Sequence, residues 1–311
     1  MSGEELGVVV LAYGGGGEHE PLLESLLQEG VGPAAVLVVH NPARPGEAAP
    51  VPACGCEVVQ AGANLGYAGG MNLGLAGMRE RGVGLVLLLT HDARLRPGAL
   101  SRLRAAMEAS PDFGVLAPVL LLSGTDIPFS FGGRTDDGGG TEHLKDRPGG
   151  DGVAACDWVD GGTLLVRRAL VDRLGGFDER FWGYCEDSDL CLRVRRAGYG
   201  VGVVLAAGAD QEPGSAKRPG AWSYLSTRNG IAYARRARGL RGLLTSSGRA
   251  LFTIALSVAR TALRRLGLRP GASAETWALA VGTGRGLLDY WRGRWGPPPA
   301  GLPGMGDLSN A

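Results

Sequence analysis

The first 120 residues alternate short, unbroken apolar runs with segments of helical periodicity, and few folds accommodate that pattern. Residues 6–11, 35–39, 85–89 and 115–122 are continuously apolar. Such runs suit parallel strands buried on both faces, not half-buried strands, which alternate. Val58-Val59 starts a weaker strand of the same kind. Between these runs, residues 20–29, 68–81 and 97–109 read as helices, the last with Pro97 at its start. Strand-helix alternation predicts an α/β fold: a Rossmann-like mixed, mostly parallel sheet with helices on both faces. Ligands of such sheets bind beyond the carboxyl ends of the strands. Residues 123–152, rich in Gly, Asp and Thr, read as a surface loop or flap. Residues 222–238, 251–266 and 275–292 read as helices that extend the domain.

Composition removes several function classes. The 311 residues allow one large domain plus an extension, and 44% hydrophobic content is enough for its core. A net charge of +1 supplies no field for nucleic acid or an acidic membrane, so nucleic acid is not expected as a partner. Cys54-Gly-Cys56 has no second pair to complete a zinc site, and the five cysteines read as reduced thiols of a cytoplasmic protein. The start, MSGEELGVVVLAY, is acidic before its apolar run, unlike a signal peptide. No unbroken apolar stretch reaches the roughly 18 residues of a transmembrane segment. The 54 glycines follow no period, which excludes collagen.

The most informative stretch is WVDGGTLLVRRALVDRLGGFDERFWGYCEDSDLCLRVRRAGY, residues 158–199. Glu186 and Asp187 stand at the mouth of a helix predicted from Ser188, with Leu190, Val194 and Ala197 at helical spacing and Gly198 at the stop. A carboxylate in a first turn faces unpaired backbone N–H groups and the positive end of the helix dipole, which favours its ionised, proton-accepting form. A solvated helix cap has the same spacing, so the pattern alone leaves both readings open. Phe177, Phe181, Trp182 and Tyr184 ahead of it suit a cleft wall.

GGFDERFWGYCEDSDLCLRVRRAGY closely resembles the base-carrying segment of inverting family 2 glycosyltransferases, the rhamnosyltransferase-like branch. The resemblance covers residues 6–240 and implies a GT-A fold. It implies Asp187 as the general base that deprotonates an acceptor hydroxyl, with Glu186 contacting acceptor or orienting the loop. Asp187-Ser188-Asp189 also spells Asp-x-Asp, but Asp189 fits a first-turn position better than a metal ligand.

Further segments align with the same family. VVVLAYGGGG begins the nucleotide pocket, bringing in Ala12 and Tyr13. Its glycines 14–17 fail the dinucleotide fingerprint, because His19 stands where the third glycine belongs. His40 replaces the acid that usually reads a pyrimidine. Asn64-Leu-Gly-Tyr-Ala-Gly-Gly-Met-Asn72 is very like the family's NLGFAGGxN stretch and nominates Asn64, Gly66, Gly69 and Asn72 for the donor pocket. Read alone, that stretch is equally a loop with a helix cap. Thr90-His91-Asp92 occupies the metal-motif position, and only Asp92 is a carboxylate; Mg2+ or Mn2+ often needs only one or two beside substrate phosphates. Asp210, ahead of Gly214-Ser215, replaces the family's histidine and is the candidate second ligand. Lys217, Arg218 and Arg228-Asn229 match a region that can close over the diphosphate. Trp158, Asp160, Gly161, Gly162 and Trp182 are expected to line the sugar or acceptor pocket.

These readings lead to a GT-A catalytic domain over residues 1–240, a helical extension over 241–296 and a disordered tail over 297–311. The expected activity is metal-dependent, inverting transfer from a dTDP-, UDP- or GDP-sugar to a hydroxyl on a glycan, lipid-linked or small-molecule acceptor. A sugar-nucleotide-binding subunit that has lost catalysis is the alternative, given the acids replaced at positions 40 and 90. A nucleotidyltransferase fits less well, because residues 14–19 carry no lysine or arginine. The C-terminal helices leave three roles open: a subdomain packed on the core, a homodimer contact, or a peripheral membrane contact.

Overall fold

Both faces of the central sheet are covered, as the continuous apolar runs require. The computed structural model describes residues 5–14, 19–49, 51–211, 219–265 and 274–303. The first half of the sheet contains β1 (Leu6–Tyr13), β2 (Val36–Asn41), β3 (Glu57–Gln60), β4 (Leu85–Thr90), β5 (Arg94–Leu95) and β6 (Phe113–Leu122). The second half adds β7 (Pro128–Ser130), β10 (Val153–Ala155), β11 (Thr163–Arg167) and β12 (Gly200–Gln211). Strand order runs β10-β12-β6-β11-β4-β1-β2-β3, with β5 on β12 and β7 on β6. Pairings within β3-β2-β1-β4 and between β6 and β12 are parallel, and β11 is antiparallel to both its neighbours. The mixed, mostly parallel sheet is the one expected.

The side-chain period of two divides each strand between two cores. Val8 and Val10 of β1 pack with α1 (Glu20–Gln28) and α3 (Ala99–Ala109), through Leu22, Leu23, Leu26, Leu103 and Met107. Val9 and Leu11 face α2 (Gly66–Glu80), whose Ala68, Met71, Leu75 and Met78 fill the opposite layer. That layer continues through α4 (Arg168–Arg173) and α5 (Glu186–Arg196), which contribute Leu170, Val171, Leu190 and Val194. Gly70, Gly74 and Gly77 form a stripe on α2, and a Cβ at each would meet Leu11, Val9 and Leu37 respectively. The stripe brings helix and sheet into closer contact than any side chain would permit.

The 123–152 segment is not an open loop. It pairs β7 with β6, and β8 (Gly133–Thr135) with β9 (Thr141–His143) in a separate hairpin. Phe131 is buried in the main core. Cys54 and Cys56 are joined as a disulfide, which corrects the expectation of reduced thiols for that pair, while Cys156, Cys185 and Cys191 are free. Gly55, at φ +72°, turns the chain so that the two sulfurs face each other.

The C-terminal region is dominated by α6 (Pro219–Arg265) and α7 (Ala274–Trp291), which pack together. Gly239 interrupts the helical geometry of α6, at φ 61° and ψ −139°. One helix among the described residues has the length and composition of a membrane span, which the sequence, read for unbroken apolar runs, does not flag. Pro219–Thr261 is long and apolar enough to cross a membrane, with a window of mean hydropathy 1.3 that is only 22% buried. Arginines such as Arg249 interrupt the apolar residues, so no unbroken run marks the helix in the sequence. Over residues 297–303 the expected disorder gives way to packing, since Leu302 is buried with Ala221, Tyr224 and Leu225.

The glycine stripe yields a measurable expectation. Gly74→Leu overfills the α2–β1 contact and should cost about 1–3 kcal/mol in urea denaturation. An unchanged midpoint would show that α2 can move away from the sheet freely.

Candidate functional site

A cavity of about 340 Å3 opens at the carboxyl ends of the parallel strands. Thr90 and Asp92 reach it from the end of β4, and Asp210 from the end of β12. Asp160, Gly161 and Gly162 line it from the segment before β11, and Glu186 and Asp187 from the first turn of α5. With Tyr184, expected in the cleft wall, nine of the residues singled out in the sequence therefore share one space, although they come from four separated segments. Tyr67, Thr163, Gly183, Tyr184 and Cys185 complete much of the wall. Tyr67 had a signal available, because it sits inside the glycine-rich stretch 64–72.

Asp187 is the best supported carboxylate in the cavity. One oxygen accepts the backbone N–H of Gly161 at 2.9 Å, and the other accepts the N–H of Ser188 at 2.6 Å and its hydroxyl at 3.2 Å. The Tyr67 hydroxyl donates to the carbonyl of Gly161 and so holds the same residue through its next peptide. Burial pushes Asp187 above the ordinary carboxylate range, and its hydrogen bonds only partly offset that. The helix-dipole expectation of a readily ionised acid is corrected in direction. Glu186 is pushed up further, by burial and then by the charge of Asp187, and its Oε2 is buried without a hydrogen-bond partner. The hydrogen bonds that support a negative charge fall on Asp187, so the pair's charge is better held there than on Glu186. Asp160 is raised to about 7, first by burial and then by Asp187. Asp189 plays no part in this cavity. It is fully buried and pairs with Arg193 at 2.8 Å and with Arg236, tying α5 to α6.

The loop leading to this pair holds every non-glycine residue with positive φ among the described residues: Trp182 at 62°, Tyr184 at 67° and Cys185 at 69°. Left-handed backbone at such residues costs energy and persists only where surroundings impose it. Asn229 of α6 imposes it here. Its side-chain amide donates to the carbonyls of Phe181 at 2.7 Å, Gly183 at 2.8 Å and Tyr184 at 2.9 Å. Arg228, fully buried, donates to the Phe181 carbonyl at 3.3 Å, to Asn229 and to the Tyr224 hydroxyl. Arg228 therefore holds the loop, which corrects its expected place over a diphosphate.

Other candidates fall outside the cavity wall. Trp158 is buried in the core with its indole N–H on the Arg134 carbonyl, not stacked in a pocket. Trp182 packs against the α6 cluster and against Gly66. Asn64 accepts from Gly66 N–H and from Asn41, and so shapes its own turn. Asn72 brackets Phe177, accepting its N–H and donating to its carbonyl. Gly69 sits tightly over Leu65. Ala12, Tyr13, His40 and His91 lie at or just beyond the strand ends but not on this wall. His40 is fully buried with neither ring nitrogen hydrogen-bonded, and the Nε2 of buried His19 is likewise without a partner. Burial lowers the pKa of His19, and the charge of neighbouring Glu20 only partly offsets that. Glycines 15–17, Gly214-Ser215, Lys217 and Arg218 lie outside the described residues.

The carboxylates bear on a divalent cation unequally. Asp92 is exposed at the cavity. Asp210 is held by Arg96 at 2.9 Å, so the expected second ligand is an ion-pair partner instead. Among the described residues no group of three His, Cys, Asp or Glu could hold a metal. One free carboxylate fits a cation that takes most of its ligands from substrate phosphates and water.

A family model described as "Glycosyl transferase family group 2" matches residues 85–288. The chain is 29% identical over 226 residues to the N-acetylglucosaminyl-diphospho-decaprenol L-rhamnosyltransferase of Mycobacterium tuberculosis, covering 62% of this chain and 71% of that protein. It is 50% identical over 50 residues to the rhamnosyltransferase WbbL of Escherichia coli, covering 16% of this chain and 19% of that protein. The crystal structure of GalNAc-T7 with UDP, GalNAc and Mn2+ superposes with a TM-score of 0.54 and 11% identity, over 67% of this chain and 43% of that one. The architecture is GT-A, and its rhamnosyltransferase relatives match the expected branch. A family model spanning β4 to β12, α6 and most of α7 leaves one assignment: this chain is a glycosyltransferase of family group 2.

Proposed function

We propose that the protein transfers a sugar from a nucleoside-diphosphate donor to an acceptor hydroxyl, with inversion at the anomeric carbon. The observation that carries this reading is the meeting of Asp187 with Asp92 at one cavity. In the proposed step the acceptor oxygen attacks the anomeric carbon and its proton passes to Asp187. The bond from the anomeric carbon to the diphosphate oxygen breaks, and the diphosphate leaves with the electron pair. Gly161 N–H and Ser188 hold the Asp187 carboxylate in one orientation as it takes the proton.

Asp92 would hold a Mg2+ or Mn2+ ion, which supplies charge neutralisation at the leaving diphosphate when bound. The Mn2+ in the GalNAc-T7 structure supports this. The names of the mycobacterial and E. coli relatives support a rhamnose-class donor, and the mycobacterial one a lipid-linked acceptor. The buried, unpartnered nitrogens of His19 and His40 support recognition of the donor base near the ends of β1 and β2.

Thermal-shift and calorimetric titration with UDP, dTDP and GDP, each with and without Mn2+ or Mg2+, test the donor site. One nucleotide should stabilise the protein in a metal-dependent way, and Asp92→Ala should abolish the metal dependence. Absence of binding to all three would sink the reading in favour of a non-catalytic subunit.

Asp187→Asn should lower turnover by about 10²–10⁴-fold while nucleotide binding persists. Because burial raises both acids of the pair, transfer should rise with pH through an apparent pKa above the roughly 3.9 of a free aspartate. A rate already at its plateau at that acidic pH would contradict the base assignment.

Asn229→Ala frees the left-handed loop. Turnover should fall on the order of ten- to a hundredfold with nucleotide affinity unchanged. Equal losses in both would indicate general unfolding, not a displaced base.

A further inference from the structure

Beyond Gly239, α6 carries an apolar face with no protein against it. Leu240, Leu244, Leu251 and Val258 recur at spacings of four and seven and so share one side of the helix. They are 68%, 61%, 58% and 53% exposed, and Phe252, 68% exposed, widens the face. The other side is occupied. Leu243, Ala250 and Ser257, seven apart, are buried, and Arg249 reaches Asp136 beside the β8–β9 hairpin at 2.9 Å. A contiguous exposed apolar face of this extent marks a binding surface.

Charge identifies what covers it. Residues 240–265 hold no acidic residue and carry arginine at 241, 249, 260, 264 and 265, with Arg241 and Arg249 also reaching Asp137 and Asp136 at its edge. The whole-chain charge of +1 conceals this, and the conclusion drawn from it about acidic membranes does not extend to this segment. A helix with an apolar face and arginine as its only charged residue lies in the plane of a bilayer interface and favours anionic lipid. A crossing orientation would require the buried side and the Arg249–Asp136 pair to separate from the domain. A twofold pairing of this face would set one arginine-rich segment against another.

We propose that residues 240–263 of α6 seat the enzyme on an anionic lipid surface, apolar face down and parallel to the membrane. This goes beyond the glycosyl-transfer reading and does not rest on it.

Co-sedimentation of the full chain with vesicles tests the proposal. One set contains equal parts phosphatidylglycerol and phosphatidylcholine, and the other phosphatidylcholine alone. The protein should bind the anionic set about tenfold more strongly, with binding weakened by salt. The exposed double variant Leu251→Glu, Phe252→Glu should lose that binding and keep its thermal midpoint. Wild-type protein that ignores both sets, or binds them equally, overturns the proposal whether or not the variant folds. So does a wild-type dimer that the double variant converts to monomer.

Discussion

A sheet buried on both faces leaves polar chemistry one place to collect, at the ends of its strands. Val8 and Val10 commit one face of β1 to a core, and Val9 and Leu11 commit the other. Neither face can accept a substrate without dismantling a helix layer. The carboxylates at positions 92, 160, 186, 187 and 210 therefore crowd into a single cavity at one edge of the domain. Burial raises Asp160, Glu186 and Asp187 together, and the charge of Asp187 adds to the first two. The packing that stabilises the fold thus also sets the proton affinity of the site.

The geometry of the cavity wall is not self-supporting. Three non-glycine residues in left-handed backbone precede the acid pair, and Asn229 and Arg228 hold that loop by donating to the carbonyls of Phe181, Gly183 and Tyr184. Asp189, two residues after Asp187, is tied to the same helix through Arg236. The C-terminal helices are therefore not an accessory to the catalytic sheet. The first half of α6 is a structural part of the loop that presents Asp187.

The strand runs were legible because burial on both faces leaves a pattern that needs no partner to be recognised. Asp92, Asp160, Glu186 and Asp187 were legible as acids at strand or helix ends, and the cavity gathers them. Asn72 and Asn64 also make internal contacts that the sequence did not show, for a physical reason. The amide and glycine chemistry that suits a nucleotide also suits a strut inside a loop. Asn72 spends its amide on Phe177, 105 residues away, which no local pattern reveals. Arg228 was misread similarly, since a guanidinium matches carbonyl oxygens as readily as phosphate. The outer part of α6 was legible as a helix over 251–266 with a membrane contact among its open roles, but only the folded helix shows which of its sides is bare.

Gly239 carries a further consequence. Its backbone lies in a region open almost only to glycine, and nothing approaches within 4 Å of where a Cβ would sit. The restriction is torsional, not steric, so a side chain there would fit in space and still redirect the helix. The two halves of α6 serve different surroundings, one inside the catalytic loop and one toward the exterior. A single pair of torsion angles therefore sets the angle between them, and with it the pitch at which the mouth of the cleft is carried over whatever the outer half rests upon.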